Sequence, residues 1–147
     1  MNSKERKFKQ TEIGLIPVDW EVKNISEIAN IKRGKFTPRP RNNPIYYGGK
    51  FPFVQTGDIT RANCKISTFT QTLNNEGLAV SALFKKGTIL MTIAANIGYS
   101  GILQIDMACP DGLVSIFGFE KIIYECINYY FYITKIKTYW NSNHFQY

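Results

Sequence analysis

Seven cations fall within thirty residues of this 147-residue chain: Lys32, Arg33, Lys35, Arg39, Arg41, Lys50 and Arg61, opposed by the single acid Asp58. That leaves +6 in one segment, while the rest of the chain holds eleven basic and ten acidic groups. The same stretch carries the polar donors Thr37, Asn42, Asn43, Gln55 and Thr56. Ammonium and guanidinium groups neutralise phosphates, and Arg, Asn and Thr have the geometry to meet base edges. The competing reading is a solvated surface loop whose charge keeps the domain soluble. For Asp58 a local role competes as well, since an aspartate after Gly57 commonly bonds nearby backbone amides. Asn96, two residues before Gly98, is likewise either a turn former or a base reader.

Catalytic chemistry finds little to work with. Methyl transfer to adenine wants an Asn or Asp, two prolines and an aromatic in a row; Asn43-Pro44-Ile45 lacks the second proline and the ring. Gly48-Gly49 and the glycines at 98 and 101 match no phosphate or nucleotide fingerprint, so no cofactor is called for. A metal nuclease needs spaced carboxylates and a lysine around a divalent cation. Glu21-Val22-Lys23 has the acid-x-lysine shape, but its nearest partner, Asp19, is two positions upstream. Asp106 and Asp111 lack a downstream acid-x-lysine, because Glu120 and Lys121 are adjacent. His144 is the single histidine, which excludes a catalytic triad and a histidine-rich metal centre. The expectation is a non-enzymatic binding protein with neither catalytic nor metal-binding residues.

The elements that must carry these groups read as an α+β domain. Proline and glycine at 34, 38, 40, 44, 48, 49, 52 and 57 break any helix through the basic segment. It reads as an extended loop, a turn at Gly48-Gly49 and a strand over residues 51–56. Residues 1–10 are polar and expected to be flexible, and Trp20 with Ile16-Pro17 to dock the N-terminus. Ser26 is placed as the cap of a turn reaching Ala29, with a strand over 28–32. Further strands are expected near Ile59 and over 66–69, 88–94, 100–105 and 113–117, with a loop over 108–112. Helical spacing appears over 75–83 and 121–139. The result is a mixed or antiparallel twisted sheet with flanking helices.

Composition sets the outer limits. Charged residues make up 20% and hydrophobic residues 44%, and the net charge of +7 suits a polyanionic partner. No apolar run approaches the roughly 20 residues that span a bilayer, and three cysteines without pair or metal spacing fit reduced thiols in a cytoplasmic protein. Eleven of the 21 aromatics lie between Phe117 and Tyr147. They are read chiefly as core packing, with stacking on unpaired bases as the alternative.

Several segments, taken together and in order, resemble a known family. Thr11-Glu12-Ile13-Gly14-Leu15-Ile16-Pro17-Val18-Asp19-Trp20-Glu21-Val22 is similar to the opening of the specificity subunit of type I restriction-modification systems. Arg33-Gly34-Lys35-Phe36-Thr37-Pro38 resembles that family's first target recognition domain, as do Tyr47 to Ile59, Lys86 to Gly98 and Ala108-Cys109-Pro110-Asp111-Gly112. The resemblance implies a non-catalytic component that reads half of a bipartite site in double-stranded DNA. Its implied partners are methyltransferase (modification) subunits that use S-adenosylmethionine and an endonuclease subunit, with no membrane involved. On this reading residues 11–147 form one target recognition domain, incomplete at its C-terminal end, without the helical spacers and second domain of a full subunit. A second specificity half-subunit then becomes a further partner. Lys32, Arg33, Lys35 and Lys50 would mainly meet phosphates. Thr37, Arg39, Arg41, Asn42 and Asn43 would meet base edges, with Gln55, Thr56, Asp58 and Arg61 as a second cluster. The alternative is a module that docks chiefly on protein, through its aromatic C-terminal stretch.

Overall fold

An uninterrupted apolar run cannot hide on one face of a strand, so Ile89-Leu90-Met91 needs cover on both sides. In a computed structural model, which describes residues 7–118, this run is the centre of a five-stranded sheet and is buried throughout. In chain order the elements are β1 (Phe8–Thr11), β2 (Gly14–Pro17), α1 (Ile25–Ile28), β3 (Asn30–Arg33), a 3-10 turn (Pro44–Tyr46) and β4 (Tyr47–Phe53). There follow α2 (Thr56–Arg61), β5 (Cys64–Ile66), β6 (Gln71–Leu73), α3 (Asn75–Ala79) and β7 (Ala82–Phe84). The described chain closes with β8 (Ile89–Thr92), β9 (Ser100–Leu103), β10 (Met107–Cys109) and β11 (Leu113–Phe117).

The larger sheet runs β3-β11-β8-β9-β5 and the smaller β6-β4-β10-β7. Pairing is antiparallel except for β5 with β9 and β4 with β10. The fold is therefore α+β on twisted mixed sheets, as expected, with the strands divided between these two sheets and a separate β1–β2 hairpin. Side chains from both form the main core, among them Val54, Ile66, Phe84, Leu90, Leu103, Met107 and Leu113. Ile89, Met91, Val114 and Ile116 pack on the other face of the larger sheet, against Ile25 and Ala29 at α1. Phe36, Phe53, Leu73 and Ala108 make a third cluster, joined by Tyr46 and Tyr47.

The strands expected over 88–94, 100–105 and 113–117 are present as β8, β9 and β11. Elsewhere tertiary pairing overrides local propensity. The strand expected near Ile59 is helix α2, because Asp58 folds back to accept from the Gln55 amide at 2.8 Å and caps a helical turn. The helix expected over 75–83 stops at Ala79; Ala82–Phe84 pairs with β10, whose Ala108 and Cys109 fall in the stretch read as loop. Ser26 lies inside α1, which Asn24 caps. Residues 8–10, expected to be flexible, pair with β2, and Trp20 is 61% exposed rather than docked. The helix expected over 121–139 lies outside the described residues.

Candidate nucleic-acid interface

The basic loop begins where two carbonyls leave room for nothing but glycine. A Cβ at Gly34 would stand 2.1 Å from the Pro110 carbonyl oxygen and 2.9 Å from that of Cys109. Through this close approach the Gly34 amide donates to the Leu113 carbonyl and the Lys35 amide to that of Cys109, each at 2.9 Å. Ala82 donates to the Lys35 carbonyl at 3.2 Å, and Phe36 bridges to Ser81. Phe36 is 2% exposed and packs edge-on to Tyr46 and against Phe53, with centroids 6.1 and 5.1 Å apart. The loop thus starts from a clamped strand and a buried ring.

Beyond Phe36 its arginines converge on one acid. Arg41 donates to both carboxylate oxygens of Asp111, at 2.7 Å for Oδ2. Arg39 lies 3.5 Å from Oδ2 and also donates to the carbonyls of Phe36 and Pro38. Arg33 donates through Nε to the Asp111 carbonyl at 2.7 Å. Burial pushes the Asp111 carboxyl up, but the hydrogen bond and charge of Arg41, with the charge of Arg39, outweigh it and hold the group below its usual range. The Tyr47 hydroxyl donates to the Arg41 carbonyl, and the Asn43 side chain accepts from the Ile45 amide, so the far end of the loop is also tied. Guanidinium side chains 57% exposed at Arg39 and 48% at Arg41 remain open to an anion.

The remaining candidates divide. Lys32 and Arg33 lie on β3, an exposed edge strand; Lys35, Thr37, Asn42 and Asn43 are exposed on the loop. Lys50 is exposed on β4, its Nζ 5.4 Å from the Phe51 ring centroid. Asp58 behaves differently. At 2% exposure it accepts from the Gln55 amide, from Arg61 at 2.8 Å and from the Thr70 hydroxyl at 3.4 Å, which is the local capping role. Arg61, paired with it, keeps a side chain 64% exposed. Thr56 opens α2, half-buried. The exposed Asn96 sits in the turn after β8, where the Thr92 hydroxyl donates to its carbonyl.

Between the loop and the β4–β6 ribbon lies a cavity of about 540 Å³. Phe36, Tyr47 and Phe53 form its apolar wall; Arg41, Asn42, Gln55, Gln71 and Thr72 supply the polar groups, and among the described residues no acid lines it. Sequence reasoning missed Asp111 as the hub and Tyr47 as a tie on the loop, and Gln71 and Thr72 altogether. Asp111 did stand in one of the family-like segments, yet nothing in its spacing points to arginines seventy residues upstream. Among the described residues no group of three or more His, Cys, Asp or Glu side chains could hold a metal ion, and no helix is long and apolar enough to cross a membrane.

The chain is 33% identical over 137 residues to the type I restriction enzyme MjaIX specificity subunit of Methanocaldococcus jannaschii, a match covering 91% of this chain and 31% of that protein. A putative MjaX specificity subunit of the same organism is 43% identical over 44 residues, 30% of this chain and 10% of that protein. The chain thus spans about a third or less of the curated relatives it matches. In fold it is similar to the HsdS subunit from Thermoanaerobacter tengcongensis, with a TM-score of 0.60 at 18% identity over 82% of this chain and 29% of that one. A chain from a structure describing assembly and conformational transition of a type I R-M system matches with a TM-score of 0.61, at the same identity and coverage. Residues 17–147 match the family described as type I restriction modification DNA specificity domain, and the chain belongs to that family.

Proposed function

We propose that this chain binds double-stranded DNA in a sequence-dependent way, as the recognition component of a type I restriction-modification assembly that reads one half of a bipartite target. The observation that carries the reading is the basic loop itself. Its arginines are exposed, yet they are held in place by Asp111, by the clamp at Gly34 and by Tyr47. A loop fixed in this way presents charge at defined positions, which is what separates a reader from a generally sticky surface. Lys32, Arg33, Lys35 and Lys50 serve phosphates; Thr37, Arg39, Arg41, Asn42, Asn43, Gln55 and Thr56 lie at or beside the reading surface. The chain contributes no catalysis or cofactor of its own. It works in the cytoplasm with methyltransferase and endonuclease subunits, and a second specificity half-subunit supplies the other half-site.

The test is a fluorescence titration of the chain with a randomised duplex pool at two salt concentrations, followed by sequencing of the bound fraction. Binding that weakens as salt rises, with a short half-site enriched and the enrichment lost on Arg39→Ala or Arg41→Ala, is the expected result. Absence of binding at low salt would sink the proposal. So would salt-insensitive binding, which marks a protein-docking module.

A further inference from the structure

The inference rests on the duplex binding proposed above and concerns the cavity beside the loop. Its volume is about 540 Å³, and it opens beside the exposed loop. Its polar groups are mostly carboxamides. Gln71 stands opposite Phe53 in the β4–β6 register, two positions short of Gln55 along β4's continuation, and Asn42 faces the same space from the loop. Gln71 and Asn42 are exposed and make no side-chain hydrogen bond among the described residues, so both are ready to bond a ligand. Gln55 Nε2 is one of three buried side-chain groups there without a partner, and the one of the three that belongs to a cavity-lining residue. Buried amide donors are nearly always met, and a terminal amide torsion is soft enough to turn this one towards an acceptor in the cavity.

The arginines are placed otherwise. Arg41 already gives its fork to the Asp111 carboxylate, and Arg39 is engaged with two carbonyls and the same carboxylate. Turning the Arg41 fork to a guanine edge would first break a two-pronged pair with a carboxylate, the geometry a guanidinium bonds most strongly. Carboxamides, each with a donor and an acceptor side by side, match the N7 and N6 amino group of adenine. We infer that this cavity reads the major-groove edge of an A·T pair, with Gln71 and Asn42 as the specificity-determining side chains and Gln55 completing the set. Arg41, held by Asp111 at the cavity wall, fixes the loop that carries Asn42, so its loss should blur the preference indirectly.

The experiment selects bound duplexes from a random pool with the unaltered chain and with Gln71→Ala, Asn42→Ala and Gln71→Glu, each variant first checked for an unchanged thermal melt. The expected result is a motif containing A·T for the unaltered chain. In the alanine variants preference at one or two A·T positions should fall about 5- to 150-fold. Gln71→Glu, which exchanges the donor for a second acceptor, should shift one such position towards cytosine; a merely structural role would not redirect base preference. If the variants select the same motif with the same strength, the cavity is not the reader, while DNA binding stands. Salt-sensitive binding without enrichment also overturns this inference and leaves DNA binding intact. Failure of the unaltered chain to bind overturns both.

Discussion

Arg41 donates to both carboxylate oxygens of Asp111, a partner seventy residues further along the chain. Asp111 follows β10, which pairs with β4 and β7, and precedes β11, which pairs with β3 and β8. The carboxylate that fixes the loop is thus planted between the two sheets. Removing its charge while keeping its shape, in Asp111→Asn, should free two guanidinium groups for phosphates. Every additional phosphate neutralised steepens the salt dependence by about 0.9 in log–log slope, so the slope should rise by about one to two. Sequence preference should weaken at the same time. Because the arginines are about half exposed, the loss of stability should be small, about 1 kcal/mol. Anisotropy titrations at several salt concentrations and a urea melt would check both; an unchanged slope would show that Asp111 does not restrain the loop.

The same pair sets a pH dependence. The Asp111 carboxyl sits low in the folded chain, the arginines outweighing its burial. Asp106 is lowered too, first by its side-chain hydrogen bond with Lys85 and then by the Lys86 amide. A carboxyl with a folded pKa below its unfolded value, about 3.9, gives stability that is present above that value and lost as pH falls through the folded pKa. Melting temperature should therefore stay level from about pH 7 to pH 5 and fall below about pH 4. In Asp111→Asn the acid limb should be shallower; an equal fall would assign the dependence to other groups.

How much of this was legible in the sequence depends on how local the cause is. β8, β9 and β11 were readable because their apolar, β-branched runs sit between Gly and Asn turns, so propensity and burial agree. The basic loop was readable because its prolines exclude helix whatever surrounds it. Ala82–Phe84 reads as the end of a helix because Leu78, Ala79, Ala82 and Leu83 share a helical face; pairing with Met107–Cys109 decides otherwise, and nothing local announces it. Asp111 and Gln71 were invisible as site residues for a similar reason: Gln71 acquires its neighbours through strand pairing, and Asp111 through a loop that folds back over the β10–β11 connection.

Two glycines should answer very differently to alanine. At Gly34 the added carbon would meet backbone oxygens that cannot move without breaking the β10–β11 connection, the nearest 2.1 Å away. Gly34→Ala should cost about 2–3 kcal/mol and loosen the whole basic loop. At Gly57 the nearest atom is the Arg61 guanidinium at 3.2 Å, the far end of a flexible side chain, and the position is helical. Gly57→Ala should be neutral or stabilise by up to about 1 kcal/mol. Urea melts of the two variants compare them directly, and equal destabilisation would refute the close-approach argument.

The cysteines offer a probe of the core that is independent of DNA. Cys109 is fully buried between the sheets and its thiol is pushed well up by that burial; Cys64, half-buried on β5, is raised for the same reason. Alkylation needs the thiolate. In a Cys126→Ser background, iodoacetamide should label Cys64 slowly and leave Cys109 untouched until the chain unfolds. Labelling of Cys109 at the rate of Cys64 under native conditions would mean that the sheets separate.

Asp58 separates local structure from DNA contact most cleanly. Its carboxylate meets the Gln55 amide, the Thr70 hydroxyl and Arg61 while being 2% exposed. Asp58→Ala removes a helix cap and leaves Arg61 without this acid, so stability should fall by about 1–2 kcal/mol. The folded fraction should keep the base preference set by Asn42 and Gln71, because Asp58, 2% exposed, offers no atom to a base and reaches the cavity only through Gln55 and Thr70. Selection from a random duplex pool, carried out below the melting transition, distinguishes the two roles. A changed motif with an unchanged melt would restore Asp58 as a base reader and reverse the division of roles drawn here between cap and cavity.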